Sequence, residues 1–305
     1  SVSATVTPTV TASPEPTKPV TPTVTPTVTV TPTVTNTVTP TVSVTPTVTP
    51  SSGTVYEYEG FVLDRNPVAY YKLDEPSGTA MYDSSTNQFH GNYSGLSTLT
   101  YRGDSIRYGH PGAIGFNLNS LGYAKGKVDR NISGTALDIA GPNKSMTITL
   151  WHKATSNIST YDFLVANWNY AYNGYTNFRI WAKNLNCEAP DNRNRISLLS
   201  DNRELNTVYF IVYRINVETQ TVSTYCNGEW KHREFSPSET FHPGVEGFEI
   251  AAASAYNYYS ANGYISDVAL FNYALSDTDI EALYNLGNPS TVTPTPTPTA
   301  TVTQS

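Results

Sequence analysis

From about residue 67 to about residue 275, apolar and polar positions alternate in short runs separated by Asn, Gly, Ser and Asp. Period-two alternation marks a strand with one face in a core. The first run is "PVAYYKLDE" (67–75), followed by the turn-rich "PSGTAMYDSSTNQFHGNY". "GAIGFNL" and "GYAKGKV" predict two strands paired around "NSLG". "SMTITLWHKA" (145–154) places Met146, Ile148 and Leu150 on one face and predicts a half-buried strand. "YDFLVANW", "NFRIWAK" and "RISLLS" continue the pattern. The stretch 207–230 predicts a hairpin with its turn near Glu218 to Gln220, then a tight turn at Asn227-Gly228, where positive φ is needed. "FEIAAAS" and "GYISDVALFNYAL" complete the set. Short strands joined by turn chemistry, with little helix, predict an all-β fold: an antiparallel jelly-roll β-sandwich.

The predicted helix closes the domain. Ser276 is placed as N-cap, with Asp279 in the capping-box position three residues on. Ile280, Leu283 and Tyr284 form an apolar stripe, and Gly287 stands where a C′ glycine belongs.

The alternation disappears at both ends. Residues 1–54 and 290–305 are almost wholly Thr, Val, Pro and Ser, with Glu15 and Lys18 their only charges and no aromatic residue. Such segments cannot offset their ordering entropy by burial, and their prolines remove ladder donors. They read as extended spacers, the first able to reach on the order of 150 Å. One domain remains, 55–289. Glu57 and Glu59 of "YEYEG" alternate but stand at the linker edge, before the sandwich begins.

Charge narrows the function. The net charge is −7 with no basic cluster, which argues against nucleic-acid binding. No apolar run approaches the roughly 18 residues of a membrane span. The spacers and the start at Ser predict a piece of a longer secreted protein, fused to further modules on either side. Cys187 and Cys226 are compatible with one disulfide or with two unpaired thiols.

Four segments, in order, resemble laminin-G-like, concanavalin-A-like jelly-roll domains. "NPVAYYKLDEPSGTAMYDSSTNQFHGNY" (66–93) is similar to the family's entry strand and Asp-Ser-Ser loop, with Tyr71 where Trp is common. "TLWHKA" resembles its Trp-containing central strand. "VSTYCNGEW" resembles its Tyr-x-Asn-Gly hairpin, with Cys226 in the usually aliphatic position. "GYISDVALFNYALSDTDIEALY" resembles its closing strand and helix most closely. The stretch 155–206 matches least.

The resemblance implies a structural calcium ligand at Asp267, with Glu75, at the end of the first strand, able to face it. Asp83, Ser85 and Asn87 also aim oxygens at one point, as a calcium site requires; ordinary Asx-turn chemistry accounts for them equally. Two loops are rich in aromatic residues among Asn and Gly. The first carries Trp168, Tyr170, Tyr172 and Tyr175; the second carries Tyr256, Tyr258 and Tyr259, with Tyr264 beyond. Rings of this kind stack on pyranose faces while Asn bonds hydroxyls; the alternative is strand positions half in the core. No paired-acid strand motif or Gly-x-Ser-x-Gly elbow is present, so a glycoside hydrolase is the weakest reading. The sequence therefore predicts an extracellular, non-catalytic, lectin-like module that binds a polysaccharide or glycan. An adhesive or structural module with a protein partner is the alternative.

Overall fold

The computed structural model describes residues 55–119, 122–128, 134–139, 143–156, 163–168, 176–181, 187–188, 195–196, 204–235, 247–252 and 261–288. Two antiparallel sheets are built from them. Across sheet A the order is β16 (Glu229–Glu234), β15 (Thr221–Cys226), β14 (Val208–Asn216), β9 (Met146–Ala154), β18 (Gly263–Phe271), β5 (Ile114–Phe116) and β4 (Leu99–Thr100). β1 (Ala69–Tyr71) also pairs with β18. Across sheet B the order is β13 (Arg195–Ile196), β12 (Cys187–Glu188), β11 (Thr176–Trp181), β10 (Phe163–Trp168), β17 (Phe248–Ile250), β8 (Lys125–Val128), β3 (Gly91–Ser94) and β2 (Ala80–Met81). The predicted all-β sandwich is what forms.

Alternation builds the core between the sheets. Ile148, Leu150, Ile211, Tyr213 and Leu270 of sheet A pack with Leu164, Val165, Phe248 and Ile250 of sheet B. Tyr71 stacks on Phe248 at 5.7 Å, tying β1 to the opposite sheet. Cys226 lies in this core, on sheet A, whereas Cys187 belongs to sheet B.

Three expectations need correction. The strand at 146–154 is not half-buried: Thr147, Thr149 and Trp151, on its second face, are buried as well. A helix missing from the sequence reading, α1 (Val55–Leu63), covers that face together with α2 (Asp277–Gly287). Tyr58 and Val62 of α1 and Ile280 and Leu283 of α2 join Trp151, Phe210, Val212 and Phe271 in a second apolar layer. Residues 57–59 are therefore part of the packed domain, not a linker edge. Strand-forming Val, Tyr and Phe, together with Gly60, mask a one-sided helix of this length; tertiary packing overrides local propensity here.

The second correction concerns "GAIGFNL" and "GYAKGKV". A small ladder does pair β6 (Leu118–Asn119) with β7 (Gly122–Tyr123). The longer strands on either side, β5 and β8, belong to opposite sheets, so this segment is a crossing between sheets.

The third concerns Gly287. Ser276 caps α2 as expected, its Oγ accepting from the Asp279 amide at 3.1 Å. Gly287, however, is still helical, and the cap is Asn288 at φ −87°. Glycine is needed for space: a Cβ would stand 2.3 Å from Cζ2 of Trp151. The turn at Asn227-Gly228 does take the positive φ values expected, 47° and 98°.

The two helices are also clasped by polar groups. The Arg65 guanidinium meets the Asp279 carboxylate at 2.7 Å and lies over the Phe61 ring. Tyr273 donates its hydroxyl to the Arg65 carbonyl at 2.7 Å.

Candidate functional site

The three carboxylates expected as metal ligands each have a separate set of donors. Asp83 organises the loop after β2. Its Oδ1 accepts from the amides of Tyr70 and Ser85, both at 2.8 Å, and its Oδ2 from the Phe89 amide at 2.8 Å. Asn87 donates to the Val68 carbonyl at 2.9 Å, so the D-x-S-x-N run fastens its own loop to the start of β1. Glu75 accepts from the Tyr82 amide at 2.9 Å and from the Tyr93 hydroxyl at 2.6 Å. Burial, then the Glu75 charge, push the Tyr93 phenol well above its ordinary range.

Asp267 sits at a bulge. The register of β18 against β9 shifts between Ser266 and Ala269, and Asp267 takes φ 54°, a left-handed value. The extra residue turns its carboxylate toward Arg107, whose Nε donates to Oδ2 at 2.8 Å; both side chains are 0% exposed. Tyr70 donates to Oδ1 at 2.6 Å. Burial alone would raise this carboxyl; Arg107, with His110 and Tyr70, outweighs it and holds the group below the usual range. The Arg107 guanidinium lies 4.2 Å from the Tyr58 ring, and Tyr58 accepts from Trp151 Nε1 at 2.9 Å. Asp267 therefore connects the closing strand to α1.

These residues do not fit a shared calcium ion. Calcium takes six to eight oxygens, whereas here amides, hydroxyls and a guanidinium already engage the carboxylates. Among the described residues, no three His, Cys, Asp or Glu side chains lie close enough together to hold a metal. The structure does not bring Glu75, Asp83 and Asp267 into one site.

Of the aromatic candidates, Trp168 ends β10, its backbone opposite Thr176. Tyr170, Tyr172, Tyr175, Tyr256, Tyr258 and Tyr259 lie outside the described residues. The strands that carry the two segments are neighbours in sheet B. β10 meets β17 with Asn167 opposite Phe248 and Val165 opposite Ile250. The first segment leaves past Asn167 and the second past Ile250, at opposite ends of the pair. Tyr264 is half-buried against the second apolar layer and lies over Gly103 and Gly115, where side chains would collide with its ring.

Sheet B thus carries the aromatic segments, and an ion pair lies on its outer face. Phe248 and Ile250 point into the inter-sheet core, so Glu249 points outward. Lys127 lies directly opposite Glu249, and Lys125 reaches it diagonally at 3.0 Å. The side chains of this pair are only 13% and 5% exposed. Ala166, next in the row, is buried. Sequence reading passed over these residues because "KGK" and "FEI" look like ordinary exposed strand positions. The register could not be known before the strands paired.

The two sheets define an antiparallel jelly-roll β-sandwich. The family pattern described as concanavalin A-like lectin/glucanases superfamily, laminin G type, matches residues 126–281, just over half of the sequence. The chain belongs to that superfamily. Among solved structures it is similar to the binding domain of botulinum neurotoxin serotype D, with a TM-score of 0.50 and 14% identity over 73% of this chain and 51% of that one. It is also similar to Trypanosoma rangeli sialidase, solved with 2,3-difluorosialic acid, with a TM-score of 0.51 and 13% identity over 73% of this chain and 33% of that one. The chain spans about half and a third of those solved chains, and the likeness is one of fold. No curated protein matches the sequence. Among the described residues no helix is long and apolar enough to cross a membrane.

Proposed function

We propose that the chain is a non-catalytic carbohydrate-binding module of an extracellular, modular protein, and that glycan lies on the outer face of sheet B. The observation that carries this is that β10 and β17, from which the two aromatic segments continue, are neighbours in sheet B, with the Lys125–Glu249 pair beside them on β8 and β17. Aromatic residues interleaved with Asn, as in both segments, suit hydroxyl-rich ligands. The opposite outer face is closed by two helices. The superfamily, which holds lectins and glucanases, supports the substrate class.

Glycoside hydrolysis needs two carboxyl groups facing each other across a cleft. The buried carboxylates of the described residues are Glu75, Asp83, Glu249 and Asp267, and each is bonded to donors of its own fold. This supports binding over catalysis. The Thr-Pro spacers at both ends support an extracellular module that searches around a tether.

The test is retention of the whole chain on a panel of soluble and insoluble polysaccharides, in calcium and in EDTA. Retention that survives EDTA and weakens on Trp168→Ala is expected. A folded protein retained by no polysaccharide sinks the reading and moves weight to an adhesive module with a protein partner. Release of reducing sugar by the purified chain would restore the hydrolase.

A further inference from the structure

The hairpin of β2 and β3, which ends sheet B on one side, holds an exposed ring on a firmly anchored backbone. We infer, resting on the carbohydrate reading above, that Tyr82, His90, Asn92 and Ser94 form a saccharide subsite at this edge, where one sugar of a neutral glycan stacks on Tyr82.

Alternation brings the four side chains together. Met81 and Tyr93 belong to the core between the sheets, so Asn92 and Ser94 of β3 point outward, and both are exposed. Met81 lies directly opposite Gly91, which sets Tyr82 across the hairpin from His90. The two rings meet edge to face, with centroids 5.5 Å apart and planes at 80°. Contact at this angle covers at most one face of the tyrosine ring. His90 is exposed, and Tyr82, at 57%, is the most exposed large apolar side chain among the described residues.

A lone exposed ring needs no function; this one has unusual support. The Tyr82 amide donates to the buried Glu75 at 2.9 Å, and the Tyr93 hydroxyl holds the same carboxylate at 2.6 Å. The next residue, the buried Asp83, accepts from the Phe89 amide at 2.8 Å, while Tyr71 donates to the Phe89 carbonyl at 2.7 Å. The residue before His90 is thus held on both sides. The imidazole is oriented too: its Nδ1 accepts from the Asp83 amide at 3.0 Å. A ring nitrogen that accepts carries no proton, so this tautomer has its hydrogen on Nε2, as a donor. Two buried carboxylates therefore hold in place two rings that the core does not use. A backbone ordered in advance spares the ligand that cost on binding.

The chemistry names the ligand class. Tyr82 offers an amphipathic ring to the apolar face of a pyranose. His90 Nε2 donates, the Asn92 amide donates and accepts, and the Ser94 hydroxyl does both. Sugar hydroxyls need partners of each kind. None of the four side chains carries a charge in this tautomer, so the set fits hydroxyls better than a carboxylate, sulfate or phosphate. His90, Asn92 and Ser94 are alternate positions, spaced by about 7 Å, and form a line along β3 that suits a chain of sugars.

Affinity electrophoresis of the whole chain tests this, in gels containing xylan, galactomannan, β-glucan or galactan, with dextran sulfate as the charged probe. Calorimetry follows on each polymer that retards the chain. We expect retardation by at least one neutral polymer, unchanged in high salt. Tyr82→Ala weakens it about tenfold, the worth of an aromatic contact, and Tyr82→Phe, which keeps the ring, restores it. Asn92→Ala weakens it severalfold, and all three variants melt as the parent does, their sites being exposed. Binding of a neutral polymer that neither Tyr82→Ala nor Asn92→Ala changes overturns the subsite and leaves the carbohydrate reading standing. A loss in Tyr82→Phe as large as in Tyr82→Ala overturns the stacking. Binding of dextran sulfate alone, abolished by salt, overturns the neutral class. A folded chain retarded by none of these polymers, nor retained by any in the wider panel, overturns both readings.

Discussion

The two outer faces of the sandwich are built on the same alternation and are covered differently. On sheet A the outward row of β9 carries Thr147, Thr149 and Trp151, and helices bury it. On sheet B the outward row carries Lys127, Glu249 and Ala166, and no helix of the described residues packs on it. The residues decide the difference. Trp151, Phe210 and Phe271 offer apolar area that only another element can cover. On sheet B the same positions hold charged groups instead, Glu249 meeting Lys125 in a largely buried ion pair. Buried apolar area is therefore concentrated on the sheet A side, and variants should separate the two faces.

The largest effect belongs to the sheet A side. Asp267→Ala leaves Arg107 buried without its carboxylate, and the loss should be about 3–5 kcal/mol, read as a fall in the urea midpoint. A variant losing under 1 kcal/mol would mean that water or Glu59, 3.8 Å from Arg107, takes over, and would break the contrast drawn above. The same pair sets a pH limit. The folded carboxyl of Asp267 lies below its unfolded value of about 3.9, so its contribution is complete above that value and disappears as pH falls through the folded one. Stability measured from pH 6 to pH 2 should drop less steeply in Asp267→Ala than in the parent.

Gly287→Ala comes next. Its methyl would meet Trp151 and Arg107 at once, an overpacking cost of about 1–3 kcal/mol, visible in thermal unfolding. A C′ role for this glycine would make itself felt through positive φ instead, and the helical backbone argues against it. Tyr58→Phe removes the acceptor for Trp151 Nε1 and should cost about 1–2 kcal/mol, with a change in Trp fluorescence. Smallest is Lys127→Gln on the sheet B side. Its stability change should stay within about 0.5 kcal/mol, as for an ordinary surface substitution. A loss comparable with that of Asp267→Ala would show that both faces are structural.

The alternation in the sequence was enough to place most strands, the turns at Glu218–Gln220 and Asn227-Gly228, and the closing helix with its Ser276 cap. These features depend on interactions between near neighbours, which a linear reading can see. From the sequence, Asp267 and Asp83 were read as calcium ligands. Their chemistry depends on partners far along the chain: Arg107 lies 160 residues from Asp267. A carboxylate looks the same in sequence whether it faces a metal or a guanidinium.

Composition and periodicity determined by themselves that this protein is an all-β domain between Thr-Pro segments, because burial alternation and the entropy cost of core-poor chain are local properties. Only the tertiary structure decided that residues 55–63 are helix, that both faces of β9 are buried, and which sheet face the helices cover. Each of these depends on what packs opposite. The register that lines up Lys127, Glu249 and Ala166 exists only once three strands distant in sequence have paired.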